Sequence, residues 1–332
     1  MDEYVIVIGV IGGCFLVAVF VVGSTLLKDR NGRTSKSLSP KRRYALAPVT
    51  SYDLKRQSAP IIRQTDDKSR SLAKSECLKL YSDDYRSDAD VHVLNFEALS
   101  LEDKNDHTGF EKKAESLLNE AWNIQGEPDA IFAKAFGVSI RRKDLLSLRP
   151  FEWLNDEVIN FYMSLICERS RRKPSLPSAY AFNTFFYPTL VKKGYANVKE
   201  WTKKVDIFSY DLLFIPIHLI NHWCLVVVDL RQKCAMFYDS YMNDDGGCLK
   251  TIMEYLTLEM KQKKGQDLDV NQWNVFCRKN IPQQFNGSDC GVFCSKFADY
   301  TARRARIDFD HSRMTYFRKR MVYEICNQKL DE

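Results

Sequence analysis

The sequence predicts an α+β domain whose central sheet is preceded and followed by helices. An apolar segment and a polar tether come before it. Three observations lead there. Uninterrupted apolar runs cluster in the middle of the chain, helix-period patterns lie on both sides of them, and large apolar residues are sparse between residues 28 and 90. With 332 residues, 45% hydrophobic and 28% charged, the chain has material for one large domain or two ordinary ones.

The first element is "YVIVIGVIGGCFLVAVFVVGSTLL", Tyr4 to Leu27, which carries no charge and is long enough to cross a bilayer as a helix. Basic residues follow at once and only Asp2 and Glu3 precede it, so the positive-inside rule turns the rest of the chain toward cytosol or nucleoplasm. A cleaved signal peptide fits less well, because the amino end lacks basic residues and the apolar run is long. The expectation is a single-pass transmembrane anchor over residues 1–27. The endoplasmic reticulum, the nuclear envelope and other cytosol-facing membranes all suit it.

Residues 28–109, rich in Ser, Arg, Lys and Asp, read as a disordered basic linker. The formal charge of +6 is concentrated there: Lys28, Arg30, Arg33, Lys36, Lys41, Arg42 and Arg43 stand against Asp29 and account for the whole excess. A basic face across the folded domain is therefore not indicated, and no nucleic-acid partner is expected. The cluster would instead be drawn to anionic lipid. "DADVHVLNFE" holds a short apolar run, Val91, Val93 and Leu94, that reads as a local packing element or a strand added to a modifier's sheet edge.

Order begins near Phe110, and residues 110–332 form the folded domain. Leu117, Leu118, Ala121 and Trp122 predict a helix, and "RRKDLLSL" a short second one. In "WLNDEVINFYMSLICERSRR" the residues Val158, Phe161, Tyr162, Leu165 and Ile166 share a helical face. The runs "LLFIPIHLI", "HWCLVVVDL" and "KCAMFYDS" predict buried strands, and "LKTIMEYLTLEM" and "RMTYFRKRMVYEICNQ" predict helices. The ten cysteines include no pair at the two-residue spacing usual in zinc sites, and several lie in apolar strands, which suits a reducing compartment. No metal or organic cofactor is expected.

The chemistry concentrates in "IPQQFNGSDCGVFC". Cys290, Phe293, Cys294, Phe297, Ala298 and Thr301 recur at helical spacing, with Ser288 as the expected N-cap and Cys290 in the first turn. A helix N-terminus favours a thiolate, the nucleophilic form of cysteine, although a buried free cysteine is equally an ordinary apolar residue. Of the five histidines, His92, His107, His218, His222 and His311, His222 opens a strand, where a base is held rigidly. Asp239 ends the next strand, "KCAMFYD", and pairing across "DLRQK" brings it to the histidine, whose ring it can orient. Gln283 and Gln284 both lie close enough in sequence to add an amide donor to the Cys290 N–H for an oxyanion.

Taken together, "HW", "YDS" and "PQQFNGSDCG", in that order, resemble the ubiquitin-like-protein proteases, within them the sentrin/SUMO-specific branch. "WLNDEVINFYM", "AFNTFFYPTL", "VKEWTKKVDIFSYDLLFIPIHL" and "YFRKRMVYEI" are similar to that branch too, over roughly Phe110 to Leu330. The resemblance implies a papain-like cysteine protease superfamily fold with a central mixed sheet flanked by helices. It implies His222 as base, Asp239 as its orienter, Cys290 as nucleophile and Gln284 as oxyanion donor. It also implies that Trp153 and Trp223 close a tunnel over a Gly-Gly tail, with His218 helping to shape the scissile bond. Two indoles leave room only for glycine, although core packing is tryptophan's commoner fate. The implied activity is a SUMO-specific cysteine endopeptidase and isopeptidase, acting in precursor maturation or desumoylation, with the modifier and its conjugates as partners. Departures from the branch lie outside the catalytic region, in the membrane span. Competing readings are a deneddylase or deubiquitinase of the same chemistry, acyl transfer to an acceptor other than water, and an inactive membrane-tethered modifier-binding scaffold.

Overall fold

In the computed structural model the described residues are 3–11, 14–22, Tyr81, Phe110 and 112–330. The chain divides into two compact units, residues 1–63 and 64–332. In the first, β1 (Glu3–Ile11) and β2 (Cys14–Val22) pair antiparallel from Glu3↔Val22 to Ile11↔Cys14. The helical anchor expected over residues 1–27 is corrected here: its apolar run forms two strands, and no helix among the described residues is long and apolar enough to cross a membrane. The composition explains the difference. Val and Ile dominate both halves, and Gly12-Gly13 sits between them, the residue pair that a two-residue hairpin connection favours. The expected linker, with His92, His107 and the Val91–Leu94 run, lies outside the described residues apart from Tyr81.

The second unit opens with α1 (residues 112–121). A hairpin not anticipated from sequence follows, β3 (Ile131–Ala135) and β4 (Val138–Arg141). Its two-residue connection, Phe136-Gly137, has φ of +55° and +77°, as a type I′ turn needs. After the short α2 (Arg142–Leu145) comes α3 (Asp156–Arg172), where Asn155 Oδ1 caps the Val158 N–H at 3.0 Å. Asp156 and Glu157 in its first turn and Arg169, Arg171 and Arg172 in its last complement the helix dipole.

Five strands make the central sheet: β5 (Ala179–Ala181), β6 (Leu212–Leu219), β7 (His222–Asp229), β8 (Cys234–Tyr238) and β9 (Asn274–Cys277). They lie in sequence order, with β5–β6 and β8–β9 parallel and the two inner pairings antiparallel, a mixed sheet. Alternate residues feed opposite cores, which is why the strand sequences are apolar throughout. Leu212, Phe214, Leu225, Val227, Met236 and Tyr238 join α3, α6 (Cys290–Ala302) and α7 (Met314–Cys326) on one face. Leu213, Ile215, Val226, Val228 and Phe237 join α4 (Phe186–Lys193) and α5 (Cys248–Lys264) on the other. The architecture is the expected α+β sheet flanked by helices.

The helix α6 runs along β7, and the Cys294 thiol donates to the Cys224 carbonyl at 3.3 Å. Among the described residues Cys167, Cys224, Cys248, Cys277, Cys290, Cys294 and Cys326 are free. At the end of β7 remote from His222, the Tyr81 hydroxyl donates to Asp229 Oδ2 at 2.6 Å, and Arg304 pairs with the same oxygen at 2.6 Å.

Candidate active site

The β6–β7 hairpin sets the first functional side chain. Leu219 pairs with His222 and His218 with Trp223, so the histidine stands at the mouth of the sheet. The β7–β8 ladder ends at Leu225↔Tyr238. Extending that register by one residue sets Asp239 against Cys224, two positions from His222 and on its side of the strand. There His222 Nε2 meets Asp239 Oδ1 at 2.5 Å. The chain then turns around the carboxylate, whose oxygens accept from the Tyr241 N–H at 2.9 Å and the Asn243 N–H at 3.2 Å. Burial works to raise the Asp239 pKa, and the imidazole and these hydrogen bonds overcome it, holding the acid below its ordinary value.

Burial likewise opposes charge on His222, but the bond to Asp239 and the proximity of the Cys290 thiol lift the imidazole to about 9. Its other nitrogen, Nδ1, is buried and makes no hydrogen bond among the described residues, which leaves it open to exchange a proton with the neighbouring Cys290 thiol. His222, Asp239 and Cys290 are thus brought to one point from two strand ends and a helix start.

Cys290 is the first residue of α6 and is buried. The N-cap position belongs to Asp289 rather than to the expected Ser288. The side chain of Asn286 explains the shift: its Oδ1 accepts from the N–H groups of Ser288 at 3.0 Å and Asp289 at 3.1 Å, closing the turn one residue later. The Asp289 carboxylate is held by Asn286 Nδ2 at 2.7 Å and by Arg318 Nε and Nη2 at 2.9 and 2.7 Å. Arg318, buried in α7, also donates to the carbonyls of Ser288 at 3.0 Å and Arg149 at 2.9 Å. Sequence reasoning missed this residue, although its signal was present: an arginine on the apolar stripe of "MTYFRKRMVYEI".

Gly291 is required by close approach. A Cβ there would lie 2.7 Å from Leu154 Cβ and 3.3 Å from Trp223 Cδ1. Trp223 is itself buried, donates its indole N–H to the Leu154 carbonyl at 3.0 Å, and stacks on His218 with centroids 4.2 Å apart. Trp153, immediately before Leu154, is 49% exposed. His218 therefore braces one indole of the pair, while the other stands at the surface.

Gln284 is buried and Gln283 exposed, which separates the two amides that the sequence left open. Gln284 Oε1 accepts from the Ser240 hydroxyl at 2.6 Å, and Gln284 Nε2 donates to the Asn286 carbonyl at 2.7 Å. Of the remaining histidines among the described residues, His311 lies 3.8 Å from Asp289 and packs on Phe285. Potential metal ligands of His222, Cys224 and Asp239 fall within 4.8 Å of one another. They do not fit an ion, because His222 and Asp239 are already joined by a direct hydrogen bond and burial drives the Cys224 thiol strongly upward, keeping it protonated.

A family profile described as "Ulp1 protease family, C-terminal catalytic domain" matches residues 152–330. The chain is 46% identical over 217 residues to a sentrin-specific protease of Caenorhabditis elegans, covering 65% of this chain and 31% of that one. It is 47% identical over 207 residues to sentrin-specific protease 2 of Mus musculus, covering 62% and 35%. The chain thus spans about a third of the length of the curated relatives it matches. Among solved structures, the C-terminal Ulp1 protease domain in complex with Smt3, the yeast ortholog of SUMO, matches with a TM-score of 0.57 at 30% identity, covering 65% of this chain and 94% of that one.

Proposed function

The chain belongs to the Ulp1 protease family, and we propose that it is a cysteine peptidase that hydrolyses the bond after the Gly-Gly tail of a SUMO-like modifier. The observation that carries this reading is the line Asp239–His222–Cys290, with the imidazole lifted to about 9 and therefore cationic at neutral pH. A cationic ring beside the sulfur carries the proton that a leaving amine needs. The likeness to relatives called sentrin-specific proteases supports SUMO as the modifier.

The Cys290 thiolate attacks the terminal glycine carbonyl, and the Cys290 N–H and Gln284 Nε2 receive the oxyanion. As the intermediate collapses the C–N bond breaks, and His222 passes its proton to the departing amine. The thioester is then hydrolysed: neutral His222 takes a proton from water, the hydroxide adds, and the thiolate leaves to restore the ion pair. Trp153 and Trp223 flank the tail, and only residues without side chains fit between two indoles. His218 acts by stacking on Trp223.

A modifier bearing a reactive tail tests the reading. Wild type should form a covalent adduct with the SUMO probe and not with ubiquitin or Nedd-type probes, and Cys290→Ala should bind without reacting. Binding with no adduct from wild type would leave a scaffold in place of an enzyme. Maturation of precursors and release from lysine conjugates use the same chemistry, and both belong to the proposal.

The domain division also belongs to it, with residues 110–332 catalytic, 28–109 a linker and 1–27 a membrane attachment. The attachment rests on the uncharged run and on the basic cluster that follows it, which would be drawn to the anionic lipid of a cytosol-facing surface and so supports a catalytic unit facing cytosol or nucleoplasm. Release of the full chain into the soluble fraction by carbonate would refute it.

A further inference from the structure

We propose that Ser240 is a positioning residue for Gln284, so that a single turn after β8 orients both the general base and the oxyanion donor. The inference deepens the peptidase reading and rests on it. Asp239 and Ser240 are consecutive, yet they hold different halves of the site. The carboxylate takes the His222 ring, while Ser240 takes Gln284 twice: its hydroxyl donates to Oε1 at 2.6 Å and its carbonyl accepts the Gln284 backbone N–H at 3.0 Å. Both residues are buried, so water cannot replace either bond freely.

A carboxamide is useful to an oxyanion only one way round. Its nitrogen carries two N–H donors and its oxygen none. In the observed orientation Nε2 gives one donor to the Asn286 carbonyl at 2.7 Å and keeps a second for the reaction. Turned over, Oε1 would face that carbonyl, acceptor against acceptor, and the amide would present negative charge to a developing anion. The Asn286 carbonyl thus selects which end of the amide lies where, and the Ser240 hydroxyl fixes the group in place. Tyr241 extends the same turn, donating its hydroxyl to the Asn286 carbonyl at 2.8 Å and laying its ring 4.8 Å from that of His222. Oxyanion stabilisation depends on donors fixed before charge develops, so the loss on removing Ser240 should appear in kcat and not in KM.

The test measures kcat and KM of the full chain on a SUMO–aminomethylcoumarin amide for wild type, Ser240→Ala, Gln284→Ala and the double variant. Gln284→Ala should lower kcat about 100-fold or more, and Ser240→Ala about tenfold, with KM within about twofold. The double variant should be no slower than Gln284→Ala alone, because Ser240 then has nothing to hold. Ser240→Cys keeps the volume and a weak donor, and should lose about threefold. If Ser240→Ala fails to fold, the same comparison is made with Ser240→Cys against Gln284→Ala. The inference is overturned if wild type cleaves and the Ser240 variants match it. It is equally overturned if their losses multiply that of Gln284→Ala unchanged. Absence of cleavage by wild type would instead sink the peptidase reading, so the two failures are distinguishable.

Discussion

His222 shows how one side chain is tuned by opposed forces. Burial alone would discharge it, and a carboxylate at 2.5 Å reverses the outcome, with Cys290 adding to the effect. The ring binds its proton more tightly in the fold than in the unfolded chain. Its contribution to stability is therefore full below the ordinary histidine pKa and is lost as pH rises through about 9. Catalysis by the ion pair should fall over the same alkaline range, as the imidazolium disappears. Asp239→Asn removes the charge that holds the proton. Its kcat/KM profile should have an alkaline limb displaced to lower pH, with kcat down by about 100- to 10,000-fold. An unmoved limb would show that Asp239 is not what tunes the ring.

At the scale of elements, the question is how a helix start is held against a sheet end. Gly291 lets α6 approach Leu154 and Trp223, where a Cβ would come within 2.7 Å of a neighbouring carbon. Gly291→Ala should cost about 1–3 kcal/mol of overpacking and displace the nucleophile, lowering kcat together with the melting temperature. The start of α6 is also fixed from α7, where Arg318 neutralises Asp289 beside Cys290 and binds the carbonyls of Ser288 and Arg149. Removing one partner of a buried pair strands the other, so Arg318→Met should destabilise by about 3–5 kcal/mol in denaturant titrations. Adding Asp289→Asn to that variant should restore part of the loss. No recovery in the double variant would show that the guanidinium's carbonyl contacts, not the ion pair, are what matters.

For the whole molecule, the described fold extends beyond the catalytic elements by one residue of the expected linker. Tyr81 reaches Asp229 at the opposite end of β7 from His222, and Arg304 completes the cluster. Tyr81→Phe keeps the ring and removes the bond to a charged acceptor, which should lower stability by about 1–2 kcal/mol while leaving kcat unchanged. Thermal unfolding of the two proteins checks this, and equal melting temperatures would mean that the docked tyrosine adds nothing. The strand pair of the first unit is a lesson at the same scale. An uncharged run of helical length was a sound criterion for a span, but Val and Ile with a central Gly-Gly satisfy a hairpin equally well.

The sequence by itself determined the α+β class, the three inner strands, the long helices and the order of His222, Asp239 and Cys290 along the chain. These are local properties, written in periodicity and residue type. Only the tertiary structure decided what depends on partners distant in sequence. It buried Gln284 and exposed Gln283, moved the α6 cap from Ser288 to Asp289 through Asn286, and drew Arg318 of α7 to the nucleophile's helix. It also paired the short strands β3, β4, β5 and β9, whose three to five residues are too few to carry a periodic signal and are stabilised by the neighbours they pair with.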